Sequence, residues 1–121
     1  MDKVNEVNEV NEIDEVNDGF IYCIDTKLTK SGCNRKIVKI GKTQYKNYSK
    51  QSIIEDKLLH RYSTYYPGCS LLFCQRVSNH HLAEKYILKE LQKLNISNEL
   101  FYYDKIIDYE FLILTLKFPS L

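Results

Sequence analysis

Apolar and polar positions change their rhythm several times along the chain. In "KVNEVNEVNEIDEVND", residues 3–18, Val4, Val7, Val10, Ile13 and Val16 recur every third residue. A strict period of three drifts about 60° per repeat around an α-helix. No apolar face persists, and the strand period does not fit either. The segment reads as a disordered acidic arm over 1–18. From Gly19 the pattern changes. "FIYCID" is β-branched and aromatic, as strands are. "TKLTKSGCN" is turn-rich, and "RKIVKIG" is a second strand, so the two form a hairpin with a long loop. Ser52-Ile53-Ile54-Glu55 has capping-box spacing. Ile54, Leu58, Arg61 and Tyr65 then share one helical stripe, which Pro67-Gly68 ends. "CSLLFCQRV" is a third strand. A helix from about His80 to Leu94 follows, capped by Ser78 or Asn79. Residues 95–103 turn back, and Asp104 caps a final apolar helix, "KIIDYEFLILTLKF".

This order predicts a single-domain α+β fold, a small three-stranded antiparallel sheet flanked by helices. The domain proper spans 19–103, and the helix of 104–121 packs on it.

Composition refines the picture. The chain has 121 residues, 44% of them hydrophobic, enough for one modest core. The formal charge of +1 conceals a split. Residues 1–18 hold seven acids and one base, and the remainder sixteen bases and nine acids. A basic body with an acidic arm points to nucleic acid, with the arm as a competitor for the basic surface. No run approaches the roughly 18 apolar residues of a membrane span, so no membrane partner is expected. The four cysteines form no regular framework and the N-terminus is no secretory signal, which suggests an intracellular setting with free thiols.

Two strand residues carry candidate chemistry. Tyr22 shares a strand face with Phe20 and Ile24, and Lys39 shares one with Ile37 and Gly41. Register decides whether those faces coincide. Arg61, Tyr65 and Glu84 lie on the predicted helices. In order and context these residues resemble the GIY-YIG nuclease superfamily, in its virus- and phage-associated branch with a "KIGKT" second motif. Ile21-Tyr22 match the first motif, and Lys39-Ile40-Gly41 the second. Arg61 with Tyr65 matches the family's arginine and its partner, and Glu84 in "HLAEKYIL" the metal-binding glutamate. Asn98-Glu99-Leu100-Phe101 falls where the family often has an asparagine or an E-x-F element. The resemblance covers roughly 19–103. Where many members carry a second tyrosine, this chain has Lys39, which opens the assignment of the general base.

The resemblance implies a DNA endonuclease that hydrolyses phosphodiesters with one metal. Glu84 would hold Mg²⁺ (or Mn²⁺), which keeps most of its waters and takes a phosphate oxygen. Arg61 offers a fork of donors to phosphate, with Tyr65 beside it. Tyr22 would be the general base. An unperturbed phenol is only about 0.1% ionised at neutral pH, so Lys39 or Lys42 would have to prime it. Gly41 would leave room for the substrate backbone, and His60 and Asn98 would lie within reach of it.

Plainer readings stand beside this one. With ten tyrosines in the chain, Tyr22 alone reads as a half-buried strand aromatic. Arg61 alone reads as a snorkelling side chain, and Asn98 as a loop residue. His60, His80 and His81 read as surface residues near helix ends. Cys69 and Cys74 with His80 or His81 form a weak zinc pattern, since strand alternation would turn the two thiols apart. Two other functions compete with the nuclease: a catalytically silent DNA-binding module, and an interaction module docking through "YEFLILTLKF". RNA is an alternative ligand, and the expected state is a monomer or a homodimer.

Overall fold

The computed structural model describes residues 18–44 and 50–120. The acidic arm read over 1–18 lies outside this range except for Asp18. The chain forms β1 (Gly19–Thr29), β2 (Lys36–Gln44), α1 (Gln51–Ser63), β3 (Ser70–Val77), α2 (His80–Glu90), a 3₁₀ turn (Gln92–Leu94), β4 (Asn95–Ser97), β5 (Leu100–Tyr102) and α3 (Lys105–Lys117). The strands pair antiparallel in the order β3-β1-β2-β5-β4. The class is α+β as expected, but the sheet has five strands rather than three. β4 and β5 are three residues each, too short to display a period. They are joined at Asn98, whose positive φ of 48° suits an asparagine in a tight turn.

β1 lies inside the sheet, between β3 and β2, and both its faces are apolar. Phe20 through Ile24 are all buried. One face carries Ile21, Cys23, Val38, Ile40 and Val77 against Ala83 and Ile87 of α2, Leu91 at its C-cap, and Ile107, Phe111 and Leu114 of α3. The spacing of the last three, i, i+4 and i+7, is the buried stripe of a helix. Phe111 stacks on Phe73 with ring centroids 4.9 Å apart. The other face carries Phe20, Tyr22, Ile24 and Cys74 against Ile54 and Leu58 of α1. The sheet is therefore sandwiched between one helix and two, each fully buried aliphatic side chain contributing on the order of 1.5–3 kcal/mol. α3 also presents Ile106, Tyr109, Leu112 and Leu116 outward.

Asp104 caps α3 by accepting from the Ile106 amide at 3.0 Å, and Asn79 caps α2 by accepting from Leu82 at 3.2 Å. The capping box at Ser52 does not form. Ser52 is already inside α1, whose N-cap is Lys50 with no side-chain bond. α1 also ends at Ser63, so Tyr65 stands in the following turn and is 71% exposed. His80 is buried, not superficial: α2 crosses the sheet where Gly19 lacks a side chain, and its ring fills that space. Among the described residues no helix is long and apolar enough to cross a membrane.

Candidate active site

The register of the hairpin answers the question left by the sequence. Tyr22 pairs with Gly41, Ile24 with Lys39 and Phe20 with Thr43. Cross-strand partners share a face, so Tyr22 and Lys39 stand side by side on the face that α1 covers. Arg61, in the last turn of α1, closes over the same place. Three segments distant in sequence thus meet on one face, Tyr22 and Lys39 being diagonal neighbours on successive rungs of it.

At its centre is a residue that the sequence reading passed over. The hydroxyls of Tyr22 and Tyr62 are 2.6 Å apart and hydrogen-bonded. The Lys39 ammonium lies 5.4 Å from the Tyr62 ring centroid and the Arg61 guanidinium 5.8 Å from it. Tyr66 stacks behind Tyr62. The signal was present: Ile54, Leu58, Tyr62 and Tyr66 recur every fourth residue, a tighter stripe than the one drawn through Arg61 and Tyr65.

Three expected roles change. The space above Gly41 is taken by the Tyr22 ring and is not left for substrate, since a Cβ there would fall 2.6 Å from the Tyr22 hydroxyl. Lys39 does not prime Tyr22: it is 15% exposed and bound to the Glu99 carboxylate at 2.5 Å. Tyr22 is 2% exposed. Burial, then the Tyr62 hydrogen bond, hold its phenol far above the usual tyrosine range, with Arg61 opposing weakly. Tyr22 is a neutral phenol at physiological pH.

The second group lies on the other face. Lys42, one residue beyond Gly41, projects away from Tyr22 towards α2. Its ammonium is 3.1 Å from Glu84 Oε1 and 3.0 Å from His81 Nδ1. It therefore cannot prime Tyr22 either. The Glu84 side chain is 12% exposed, and its second oxygen, Oε2, is buried without a hydrogen-bond partner. A buried carboxylate oxygen without a donor is costly, of order 1–3 kcal/mol. It is the one arrangement in the described chain that a cation would directly relieve. Among the described residues no three His, Cys, Asp or Glu side chains gather as a metal cluster. Glu84 fits an ion that keeps its water shell and asks for one carboxylate; the zinc pattern finds no such support.

The two groups are not sealed from one another. β5 pairs with β2 only at Ile37–Lys39, with one further bond from the Ile40 amide to Glu99. From Gly41 to Gln44 the outer edge of β2 has no paired strand among the described residues. His60 is exposed on α1, and Asn98 sits in the β4–β5 turn with its carbonyl bound by Asn95. Neither joins either group. A cavity of about 390 Å³ lined by Glu55, Leu59, Cys69 and Phe73 lies away from both.

Compared with known proteins, the chain matches no protein-family model, no curated protein and no solved structure.

Proposed function

We propose that this chain is a metal-dependent phosphodiester hydrolase acting on DNA, as its resemblance to the GIY-YIG nucleases implies. The observation that carries the reading is the convergence of Tyr22, Arg61 and Lys39 around the Tyr62 side chain on one face of the sheet, from three separate segments. The unpartnered Glu84 oxygen supports it. A DNA strand crossing the open edge of β2 would meet both groups. Arg61 would grip a phosphate oxygen with its fork of donors. Tyr22, buried and neutral, would donate to Tyr62 and leave the lone pairs of Tyr62 facing an incoming water. Tyr62, the outer end of the pair, would orient that water by accepting a hydrogen bond from it, and the water would lose its proton to solvent as its oxygen adds to phosphorus. The leaving oxygen would receive a proton in turn, so the bond is cut with the net addition of water. Glu84 would hold Mg²⁺ or Mn²⁺, displacing the Lys42 ammonium, and the ion would supply charge neutralisation at the phosphate.

The test is conversion of supercoiled plasmid to nicked or linear DNA in Mg²⁺, wild type beside Glu84→Ala. Cleavage by the wild type alone is expected. Equal cleavage by both would overturn the mechanism.

One observation favours a second reading, a DNA-binding module without chemistry. In the resting structure both motif lysines are already engaged, Lys39 by Glu99 and Lys42 by Glu84. That reading predicts salt-sensitive, metal-independent binding that Glu84→Ala leaves intact.

A further inference from the structure

The face of the sheet that α1 covers is only half covered. Ile54 and Leu58 lie over β1 and β3. The same face of β5 stays half-exposed at Leu100 and Tyr102. Tyr102 pairs with Ile37, two residues from Lys39 and four from Gly41. Even spacing puts Ile37, Lys39 and Gly41 on one face. Tyr102 is therefore on the same face as the Tyr22–Tyr62 pair and about 13 Å along the strand from it, at about 3.3 Å per residue.

Two cations frame its ring. The Arg35 guanidinium is 5.0 Å and the Lys30 ammonium 5.3 Å from the Tyr102 centroid. Both come from the β1–β2 loop, and both residues are exposed. From Thr26 to Lys39 the chain has five Lys or Arg residues and no acid. Two carboxylates approach this surface from elsewhere: Asp104, 4.0 Å from Arg35, and Glu99 on Lys39. Lys27 and Lys36 lie near the buried Asp25.

An aromatic ring on a half-open strand, flanked by flexible cations, is what binds a nucleotide strand: bases stack on the ring and phosphates meet the cations. A duplex hides the faces of its bases, so the ring favours unpaired ones. We propose that Tyr102, Lys30 and Arg35 form a subsite for an unpaired nucleotide of a DNA strand that continues to the Tyr22–Tyr62 rung. The proposal rests on the DNA reading above and makes single-stranded or branched DNA the substrate class. A base stacking on Tyr102 takes the place of the Lys30 ammonium, which moves to the adjoining phosphate. Glu99 is the internal competitor, because it holds the next cation along the track.

Anisotropy of a labelled oligothymidine of about 12 nucleotides, against a duplex of equal length, tests this in EDTA, where no cleavage intervenes. Wild type and Tyr102→Phe should bind the single strand equally, and Tyr102→Leu about tenfold more weakly, the order of one lost base stack. Duplex binding should change little. Lys30→Gln with Arg35→Gln should flatten the salt dependence of single-strand binding by about 1.4 in slope, and Glu99→Gln should tighten it. Tyr102→Leu binding like wild type, or losing strand and duplex alike, would overturn the subsite, as would tighter Tyr102-dependent binding of an RNA strand. If urea melts show that Tyr102→Leu has lost the fold, the Lys30/Arg35 pair decides: an unchanged salt slope overturns the proposal. The two readings fail separately. Tyr102-dependent binding without cleavage leaves the subsite standing and removes the chemistry. Glu84-dependent cleavage with no Tyr102 effect does the reverse.

Discussion

Tyr22 and Glu84 are both polar groups withdrawn from water, on opposite faces of the β1–β2 hairpin, and the molecule treats them in opposite ways. Tyr22 has a complete environment: its ring fills the space above Gly41 and its hydroxyl bonds Tyr62. Glu84 has one oxygen on Lys42 and one on nothing. Folding alone accounts for the first, because every buried group is satisfied. It does not account for the second, because a buried carboxylate oxygen without a hydrogen-bond partner costs stability. The tyrosine is a finished piece of core. The glutamate is kept at a cost, and buried groups of that kind concentrate where a ligand completes them.

Glu84→Gln breaks the comparison most sharply. It keeps the shape of the side chain and removes the charge. Loss of a metal's charge stabilisation removes several kcal/mol from the transition state, at least about a hundredfold in rate. Stability in urea should change little, since the Lys42 side chain is 33% exposed and can turn to water, and the amide leaves one polar atom unpartnered as the carboxylate did. A parallel loss of activity and stability would make Glu84 a structural partner of Lys42 and nothing more.

Gly41→Ala strikes the Tyr22 side. The new methyl would lie 2.6 Å from the Tyr22 hydroxyl and 2.8 Å from its ring carbon. The ring is packed against α1 and has no free direction of retreat. Overpacking of this kind costs about 1–3 kcal/mol, and displacing the phenol should reduce cleavage as well. Urea midpoints equal to wild type would show that the ring can give way.

The hydroxyl pair allows a finer cut. Tyr62→Phe leaves the buried Tyr22 hydroxyl without a partner, a loss of about 1–3 kcal/mol. Tyr22→Phe leaves the Tyr62 hydroxyl, which is nearer to solvent and can turn to water, a loss of about 0.5–1.5 kcal/mol. The first variant should be the less stable by about 1 kcal/mol. The reverse order in denaturant would place the satisfied end of the pair at Tyr62.

The sequence displayed what depends on local pattern. The apolar run from Phe20 to Ile24, the Asp104 cap and a cap at Ser78 or Asn79 all follow from residue chemistry within a few positions, whereas α1 ends at Ser63, short of the Pro67-Gly68 breaker. The Tyr22–Gly41 pairing was hidden, because register depends on how a long loop closes. β4 and β5 were hidden because three residues show no period, and with them the partner of Lys39, which Glu99 supplies from sixty residues away. Tyr62 was missed for a different reason. Two stripes one residue apart compete on α1, and the motif drew the eye to Arg61 and Tyr65. Only the contacts with β1 show that Leu58 and Tyr62 face the sheet. The separation of Glu84 from Tyr22 was likewise beyond reach, since it depends on which side of the sheet α2 crosses.

The smallest expected effect isolates the buried phenol. An unfolded tyrosine ionises near pH 10. Burial and the Tyr62 bond hold Tyr22 well above that, so above pH 10 the folded state keeps a proton that the unfolded state has lost. Stability therefore falls as pH rises, since the unfolded state binds fewer protons. For this group alone the loss is about 0.8 kcal/mol at pH 10.5 and nothing at pH 8. The Cys23 thiol on the opposite face is also pushed up by burial, and Cys74 beside α1 is pushed up to about 12. They make the whole domain sensitive to alkali from about pH 8.5. Both thiols are present in wild type and in Tyr22→Phe, so they cancel in the difference between the two. Urea midpoints of that pair should converge between pH 9 and 10.5, by an amount that belongs to the Tyr22 hydroxyl. A constant difference would mean that Tyr22 ionises as freely folded as unfolded, and that the rung is open to water.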